Sequence, residues 1–158
     1  MSKSPITSPL GDTERESTGA ILQATLVDLI DVSLIAKQAH WNVVGPNFRS
    51  AHLQLDELVA ASRQYVDAAA ERANAIGISP NGKTKTVLES SGIPAYPDNW
   101  QSVENTVAAI VNILGEMIKR LRKRIDETDK SDLVTQDLLI EIAAELEKQH
   151  WMWQAQTA

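Results

Sequence analysis

The stretch HWNVVGPNFRSAHLQLD, residues 40–56, followed by DAAAER at residues 67–72, decides the fold of this chain. Gly45 and Pro46 interrupt the stretch, and apolar residues recur at three- and four-residue spacing on both sides of the interruption. The pattern predicts a long helix that ends near Asn42 and a second helix from about Phe48 to Gly77. Helices joined by so short a turn are antiparallel neighbours.

Two more amphipathic helices are predicted downstream, one from about Asn99 to Glu127 and one that opens at Ser131 or Asp132. The link between the second and third long helices, residues 77–98, carries three glycines and three prolines, with a short helical run at residues 84–90. A link of about 22 residues is long enough to cross the whole bundle, so the third helix starts at the far end. The sequence therefore predicts an all-α fold, a four-helix bundle with the long crossover of ferritin-like proteins.

The expected domain boundary lies near residue 12. Residues 1–12 hold two prolines, three serines and a glycine without hydrophobic periodicity, which predicts a flexible N-terminal tail. The bundle is expected to occupy residues 13–158, and Thr13 followed by Glu16 has the form of a capping box at the start of the first helix. The apolar stripes of the predicted helices include Leu34, Phe48 and Val134.

Composition excludes several classes of protein. The 158 residues include 43% hydrophobic residues and no cysteine, which rules out disulfide frameworks, zinc fingers and iron–sulfur centres, so any metal must be held by His and carboxylate groups. The net charge of -6 at pH 7 repels nucleic acid and attracts cations. No signal peptide or uncharged apolar run of membrane-spanning length is visible, so the chain is expected to be soluble and cytoplasmic, with nucleoid association left open.

The second helix carries two pairs of metal-ligand types. His52 and Asp56 are four residues apart, as are Asp67 and Glu71, so each pair points from one helix face and all four lie on one strip. At about 1.5 Å per residue the centres of the two pairs are roughly 22 Å apart, too far to share one metal within a subunit. Two copies of this helix that pack antiparallel across a two-fold axis would bring unlike pairs together, with His40 completing each site.

Jointly, these residues and their spacing resemble the Dps family, the ferritin-like mini-ferritins named DNA-binding proteins from starved cells. The resemblance covers nearly the whole chain, and its specific part is HWNVVGPNFRSAHLQLDE with the following DAAAER. It implies a dodecameric shell that oxidises Fe(II), preferably with hydrogen peroxide, stores a ferric mineral and protects against oxidative damage. The iron ligands carried over are His40, His52 and Asp56 from one subunit and Asp67 and Glu71 from its partner.

The resemblance implies two further assignments. Trp41, beside His40, is similar to the tryptophan next to the family's ferroxidase centre, where packing at the interface and electron transfer are both open roles. The family's acidic three-fold pore would lie at the turn between the last two helices, with the candidate pore acids Asp126, Asp129, Asp132 and Asp137. Solvated acids around an ordinary turn are the alternative for this group.

DNA binding looks weak for a chain of this family. Members that bind DNA commonly use a lysine-rich tail, whereas residues 1–17 carry only Lys3 and Arg15 against three acids. The basic run KRLRKR, residues 119–124, is interpreted as structural, since cations complement a helix C-terminus. Many members of the family carry extra acids soon after the position of Asp56, whereas Glu57 is followed here by the apolar residues 58–61, so mineral nucleation is expected to be less efficient than iron oxidation.

Three alternatives remain open. A nucleoid-compacting protein with a secondary iron site is one, and a metal-dependent hydrolase is another, because a carboxylate and imidazole site also activates water. Glu147 and His150 form an E-x-x-H pair of the type used by di-iron sites inside ferritin-like bundles. The second helix offers no matching E-x-x-H pair, so His150 is interpreted as a packing or interface residue.

Overall fold

The computed structural model describes residues 4–156, and these residues form a bundle of four long helices. α1 spans Asp12–Asn42, α2 spans Phe48–Ala75, α4 spans Val103–Thr128 and α5 spans Leu133–Gln154. The crossover between α2 and α4 carries the short helix α3, Thr84–Ser90. The predicted all-α fold with a long crossover is confirmed.

A small sheet joins the loop after α1 to the end of the crossover. Strand β1, Val43–Val44, pairs in parallel with strand β2, Gln101–Ser102. The prediction that the third long helix starts near Asn99 is wrong by a few residues, because Asn99 has a positive φ of 65° and the next residues pair with β1. α4 starts only after Ser102, whose side chain accepts a hydrogen bond from the Asn105 backbone N–H.

The turns around α2 depend on left-handed backbone conformations. Gly45 (φ 106°) and Asn47 (φ 61°) reverse the chain between α1 and α2. At the other end, Gly77 has a φ of 81°, and the N–H of Ile78 donates to the Ala73 carbonyl, a Schellman-type ending. The predicted helix stop at Gly77 is thus confirmed.

The N-terminal end of α1 differs from the predicted capping box. The helix begins at Asp12 with Gly11 as N-cap, so Thr13 and Glu16 both lie inside its first turns and form no box. Residues 1–3 of the expected flexible tail lie outside the described residues, and Leu10 packs against a small apolar cluster that includes Ile76. The flexibility of the tail stays a prediction.

The main core lies between the four long helices and is filled by aliphatic side chains such as Leu55, Leu114 and Leu146. By contrast, Leu34, Phe48 and Val134, which the periodicity places on the apolar stripes, are 51%, 48% and 62% exposed. Amphipathic periodicity therefore marks apolar faces without saying whether this chain covers them.

Among the helices of residues 4–156, α1 is long enough and apolar enough to cross a membrane. Of its most apolar window, 56% is buried inside the fold. Leu29 and Ala36 have no exposed surface, as is typical of the core helix of a bundle.

Candidate metal centre between the first two helices

The structure brings His40, at the end of α1, onto His52, in the second turn of α2. Their rings stack with centroids 3.6 Å apart and an interplanar angle of 22°. Each Nδ1 lies against the backbone carbonyl of the other residue, at 2.9 Å for His40 and 2.8 Å for His52. A carbonyl only accepts, so each Nδ1 donates its hydrogen, and in the neutral form of either ring the lone pair is then on Nε2.

This reciprocal pairing explains why the two helices meet as they do. The turn between Asn42 and Phe48 is short, and its left-handed residues return the chain directly alongside α1. Each histidine then satisfies a carbonyl of the opposite helix. The two imidazoles are therefore held in a fixed relative orientation.

Asp56 lies one turn further along α2, and together with the two histidines it makes up the candidate half-site predicted from the sequence. One of its oxygens, Oδ1, is 3.3 Å from Nδ1 of His40 and accepts a 2.6 Å hydrogen bond from the ammonium of Lys37. That hydrogen bond holds the pKa of Asp56 below its ordinary value, against the opposing effect of burial and with help from the charges of His40 and His52. Asp56 is therefore ionised at neutral pH, as a hard oxygen ligand would have to be.

Lys37 is the member of this group that sequence reasoning missed. It precedes His40 by three residues on α1, so the two side chains share a helix face. That spacing was the available signal. Because the Lys37 ammonium group already contacts Asp56, a metal cation would compete with it for that carboxylate.

Asp67 and Glu71 lie on the same face of α2 but further along it, and both are exposed. Within residues 4–156 no group of three or more His, Cys, Asp or Glu side chains is arranged to hold a metal ion. The described part of a single subunit thus holds a candidate half-site, His40, His52 and Asp56, that is not by itself arranged to hold a metal, and separately a pair of exposed carboxylates.

Comparison with known proteins agrees with this fold. The sequence profile of the ferritin-like domain family matches residues 19–158. The DNA protection during starvation protein of Mycolicibacterium smegmatis is 36% identical over 146 residues, which cover 92% of this chain and 80% of that protein. This chain belongs to the Dps family of ferritin-like proteins. Solved Dps structures are closely similar, among them a tetragonal form of Mycobacterium smegmatis Dps (TM-score 0.93, 35% identity, covering 99% of this chain and 94% of the other).

A second solved relative is Dps from Microbacterium arborescens in a high iron form. It superposes with a TM-score of 0.90 at 30% identity and covers 96% of this chain and 98% of its own. The similarity therefore extends over the helices that carry both ligand pairs.

Trp41 of this Dps chain projects from the surface beside the histidine pair, with 66% of its area exposed. It lines a groove of about 480 Å³ between α1 and the crossover, together with Leu34 and Tyr96. A large apolar ring left this open is typical of a surface that another chain covers.

The four candidate pore acids differ in their surroundings. Asp126, Asp129 and Asp137 are exposed, whereas Asp132 is 8% exposed and caps α5 by accepting from the N–H groups of Val134 and Thr135. Asp132 also pairs with Arg72 of α2 at 2.5 Å. Within this subunit Asp132 thus has a structural role, which sequence reasoning did not foresee.

The two residues of the rival E-x-x-H pair on α5 contact other protein groups. Glu147 pairs with Arg122 at 2.6 Å, and His150 lies against α4 close to Gly115. Neither belongs to a cluster of metal-ligand side chains among the described residues. The packing interpretation of His150 agrees with this arrangement.

Proposed function

We propose that this Dps protein is a ferroxidase that oxidises Fe(II), preferably with hydrogen peroxide, and stores the ferric product inside a cytoplasmic shell of twelve subunits. The observation that carries the proposal is the stacked pair of His40 and His52. Their Nδ1 atoms are engaged by backbone carbonyls, and the His40 ring lies beside the ionised Asp56. Membership of the family supports iron storage and protection of DNA in general terms.

The order of ligands along α2 supports a site shared between two subunits. His52 and Glu71 are equally far from the midpoint between Ala61 and Ser62, and so are Asp56 and Asp67. Antiparallel packing of two α2 helices about that midpoint therefore places His52 opposite the partner's Glu71 and Asp56 opposite the partner's Asp67. One two-fold axis then completes two identical sites.

The face of α2 at that midpoint is free to pack in this way. At about 100° per residue, Ala60 and Arg63 lie nearest the ligand strip, and both are exposed. Leu53, on the same strip, is 46% exposed although it is large and apolar. These side chains, together with Trp41, are the surface that a second copy would bury.

The ligand set suits iron as the substrate. Neutral imidazoles bind ferrous iron well, and carboxylates favour the ferric product. In the net reaction two ferrous ions each lose one electron, and one peroxide takes both electrons and two protons as its O–O bond breaks to give two waters. The protein's part is to hold the imidazole pair fixed, keep Asp56 ionised and draw on the carboxylates of Asp67 and Glu71.

The shared site is tested by mixing two inactive proteins. One lacks His40 and His52, the other lacks Asp67 and Glu71, and each is expected to assemble without ferroxidase activity. In a mixed dimer one site carries both lesions and the other carries none. Random pairing makes about half of the dimers mixed, so coexpression is expected to restore about a quarter of the wild-type rate of peroxide-dependent Fe(II) oxidation.

A matched control removes two acids elsewhere. The double variant of Glu89→Gln and Glu104→Gln, both exposed and off α2, is expected to keep full activity by itself. If the mixed proteins assemble into full-size particles that remain inactive, the ligands do not act across this two-fold axis.

We also propose that the exposed acids at the α4–α5 turn form the pore that admits Fe(II). Asp137 lines an open groove with Glu71 and Glu141, and carboxylates in a groove concentrate cations. Asp137→Asn is the cleaner test, since Asp132 has a structural partner: we expect slower iron uptake at low salt with the ligands intact. Unchanged uptake would remove the pore assignment alone.

DNA binding is the second candidate, favoured by the names of the curated relatives. Against it, the basic run of residues 119–124 is largely paired with acids of the same subunit, for example Lys119 with Glu116 and Lys123 with Glu127. Gel retardation of plasmid DNA at physiological salt separates the two, and strong retardation would make DNA binding the primary function.

A further inference from the structure

The crossover between α2 and α4 contains the one Asn-Gly step of the sequence, Asn81–Gly82, directly before α3. Both residues are exposed, so water reaches them. Every other asparagine of the chain is followed by a residue that has a Cβ. Because glycine has none, the backbone nitrogen after Asn81 is the least hindered of those that follow an asparagine side chain.

The side chain of Asn81 is folded back over the peptide bond that follows it. Its Oδ1 accepts a hydrogen bond of 3.2 Å from the backbone N–H of Lys83, which is the pattern of an Asx-turn. The carboxamide carbon, Cγ, therefore lies on the same side of the main chain as the nitrogen of Gly82. That N–H donates to no acceptor within residues 4–156, so no hydrogen bond has to break before the nitrogen reacts.

The backbone around this step is held from α1. The side chain of Gln23 donates from Nε2 to the Asn81 carbonyl at 2.8 Å and accepts at Oε1 from the Asn81 N–H, also at 2.8 Å. A Cβ on Gly82 would lie 3.0 Å from Cδ1 of Ile30, so the glycine rests against the same helix. A loop held with two reacting atoms close together loses little further entropy when they meet.

We propose that Asn81 is a site of intramolecular deamidation, promoted by the Asx-turn. The nitrogen of Gly82 loses its proton to solvent and forms a bond to Cγ of Asn81. Negative charge then develops on Oδ1, the atom that already accepts from the Lys83 N–H, and a donor placed in this way stabilises the transition state. The Nδ2 group takes up a proton and leaves as ammonia, which closes a five-membered succinimide ring.

Water completes the reaction by adding to a ring carbonyl and breaking its bond to the Gly82 nitrogen. Addition at Cγ gives aspartate at position 81, and addition at the former main-chain carbonyl gives isoaspartate. Either product carries a carboxylate that is ionised at pH 7, which adds one negative charge to a chain of net charge -6. In isoaspartate the carbonyl that accepts from Gln23 becomes part of a free carboxylate. The crossover is then expected to loosen from α1, independently of the iron chemistry.

The first test follows the assembled wild-type protein during a long incubation at mildly alkaline pH. Peptide mapping by mass spectrometry, with separation of the isoaspartyl form, measures the replacement of NH₂ by OH at each asparagine. We expect Asn81 to convert faster than the other asparagines. Gly82→Ala is expected to slow the conversion by about ten-fold, because its Cβ hinders the nitrogen.

The second test separates the Asx-turn from the reactivity of any Asn-Gly step. Lys83 has a φ of -65°, which proline adopts without strain, so Lys83→Pro removes the N–H donor and keeps the shape of the backbone. This variant is expected to deamidate about ten-fold more slowly, a smaller effect than loss of such a donor has in a water-excluded site. Lys83→Gln is the control: it removes the charge, keeps the N–H and is expected to react at the wild-type rate.

Two outcomes would overturn the proposal. One is conversion of Lys83→Pro at the wild-type rate, which would mean that the Asx-turn does not promote the reaction. The other is an Asn81 that stays intact in the assembled protein over the time in which it converts in the same chain unfolded in urea. That result would mean that the fold protects this step.

Discussion

At the scale of single residues, Lys37 changes how the candidate iron site is understood. Its ammonium group donates to Asp56 at 2.6 Å and is partly withdrawn from solvent. A cation that binds to Asp56 must displace or tolerate this charge, because like charges repel strongly at such distances. The candidate ligands remain a prediction from residue types and spacing along the chain, whereas the modifying charge comes from the preceding helix and was not predicted.

Replacing Lys37 by methionine is expected to strengthen binding of Fe(II) to the half-site about five-fold, since a competing charge is removed at a partly solvated position. Anaerobic isothermal titration of Fe(II) measures the affinity. Lys37→Arg keeps the charge and is expected to bind like wild type. Weaker binding by Lys37→Met would instead mean that the ammonium group positions Asp56 for the metal.

At the scale of helices, the sequence predicted most of the architecture because helix periodicity and stop residues are local signals. The short helix at residues 84–90 and the start of α5 after Asp132 are both confirmed. Partners remote in sequence were not predicted, as for Arg72, which reaches the N-cap of α5 from the end of α2. Sequence patterns within one helix carry no information on such a contact.

The Arg72–Asp132 pair predicts a pH-dependent stability. Burial raises the pKa of Asp132, but hydrogen bonds from Arg72 and Thr135 outweigh it and leave the pKa lowered. The ionised group therefore stabilises the fold fully above its unfolded pKa of about 3.9, and this stability is lost as the pH falls through the lower folded pKa. Asp132→Asn is expected to cost about 2 kcal/mol at pH 7, and the difference from wild type shrinks below about pH 4.

Urea unfolding between pH 3 and pH 7 measures this difference. Asparagine keeps an N-cap acceptor, so Asp132→Ala is expected to cost about 1 kcal/mol more at every pH. Asp126→Asn, an exposed acid near the end of α4, is the control and is expected to leave stability unchanged. A loss in Asp132→Asn that is constant across the range would show that the charge is irrelevant.

At the scale of the whole molecule, the sequence did not predict which apolar residues the bundle leaves exposed. Phe48, which contacts His52 edge to face, and Leu34 and Trp41 of the neighbouring groove are about half exposed or more. Periodicity placed Leu34 and Phe48 correctly on apolar faces, but a face covered by another subunit has the same pattern as a face covered by the bundle. The fold was thus predictable from the sequence. Which apolar faces are buried inside the bundle and which are left for another subunit was not.

Ala60 tests the proposed pairing of α2 helices, because it is exposed close to the midpoint of the ligand strip. Ala60→Tyr is expected to separate the helices, abolish the proposed ferroxidase activity and replace the proposed assembly of about 208 kDa, twelve chains of 17.3 kDa, by smaller species. Native mass spectrometry and circular dichroism measure assembly and helix content. Ala108→Tyr, at an exposed position of α4, is the control. Full-size, active particles of Ala60→Tyr would contradict the pairing.

The strand ladder between Val43 and Gln101 has a consequence for the order of events during synthesis. His40 and His52 are 12 positions apart, and they meet as soon as α1 and α2 fold back on one another. The ladder joins residues separated by the entire crossover, and contacts across long loops form more slowly. In a growing chain we therefore expect the imidazole pair to form before the ladder, which cannot pair until the ribosome has made α2, the crossover and β2.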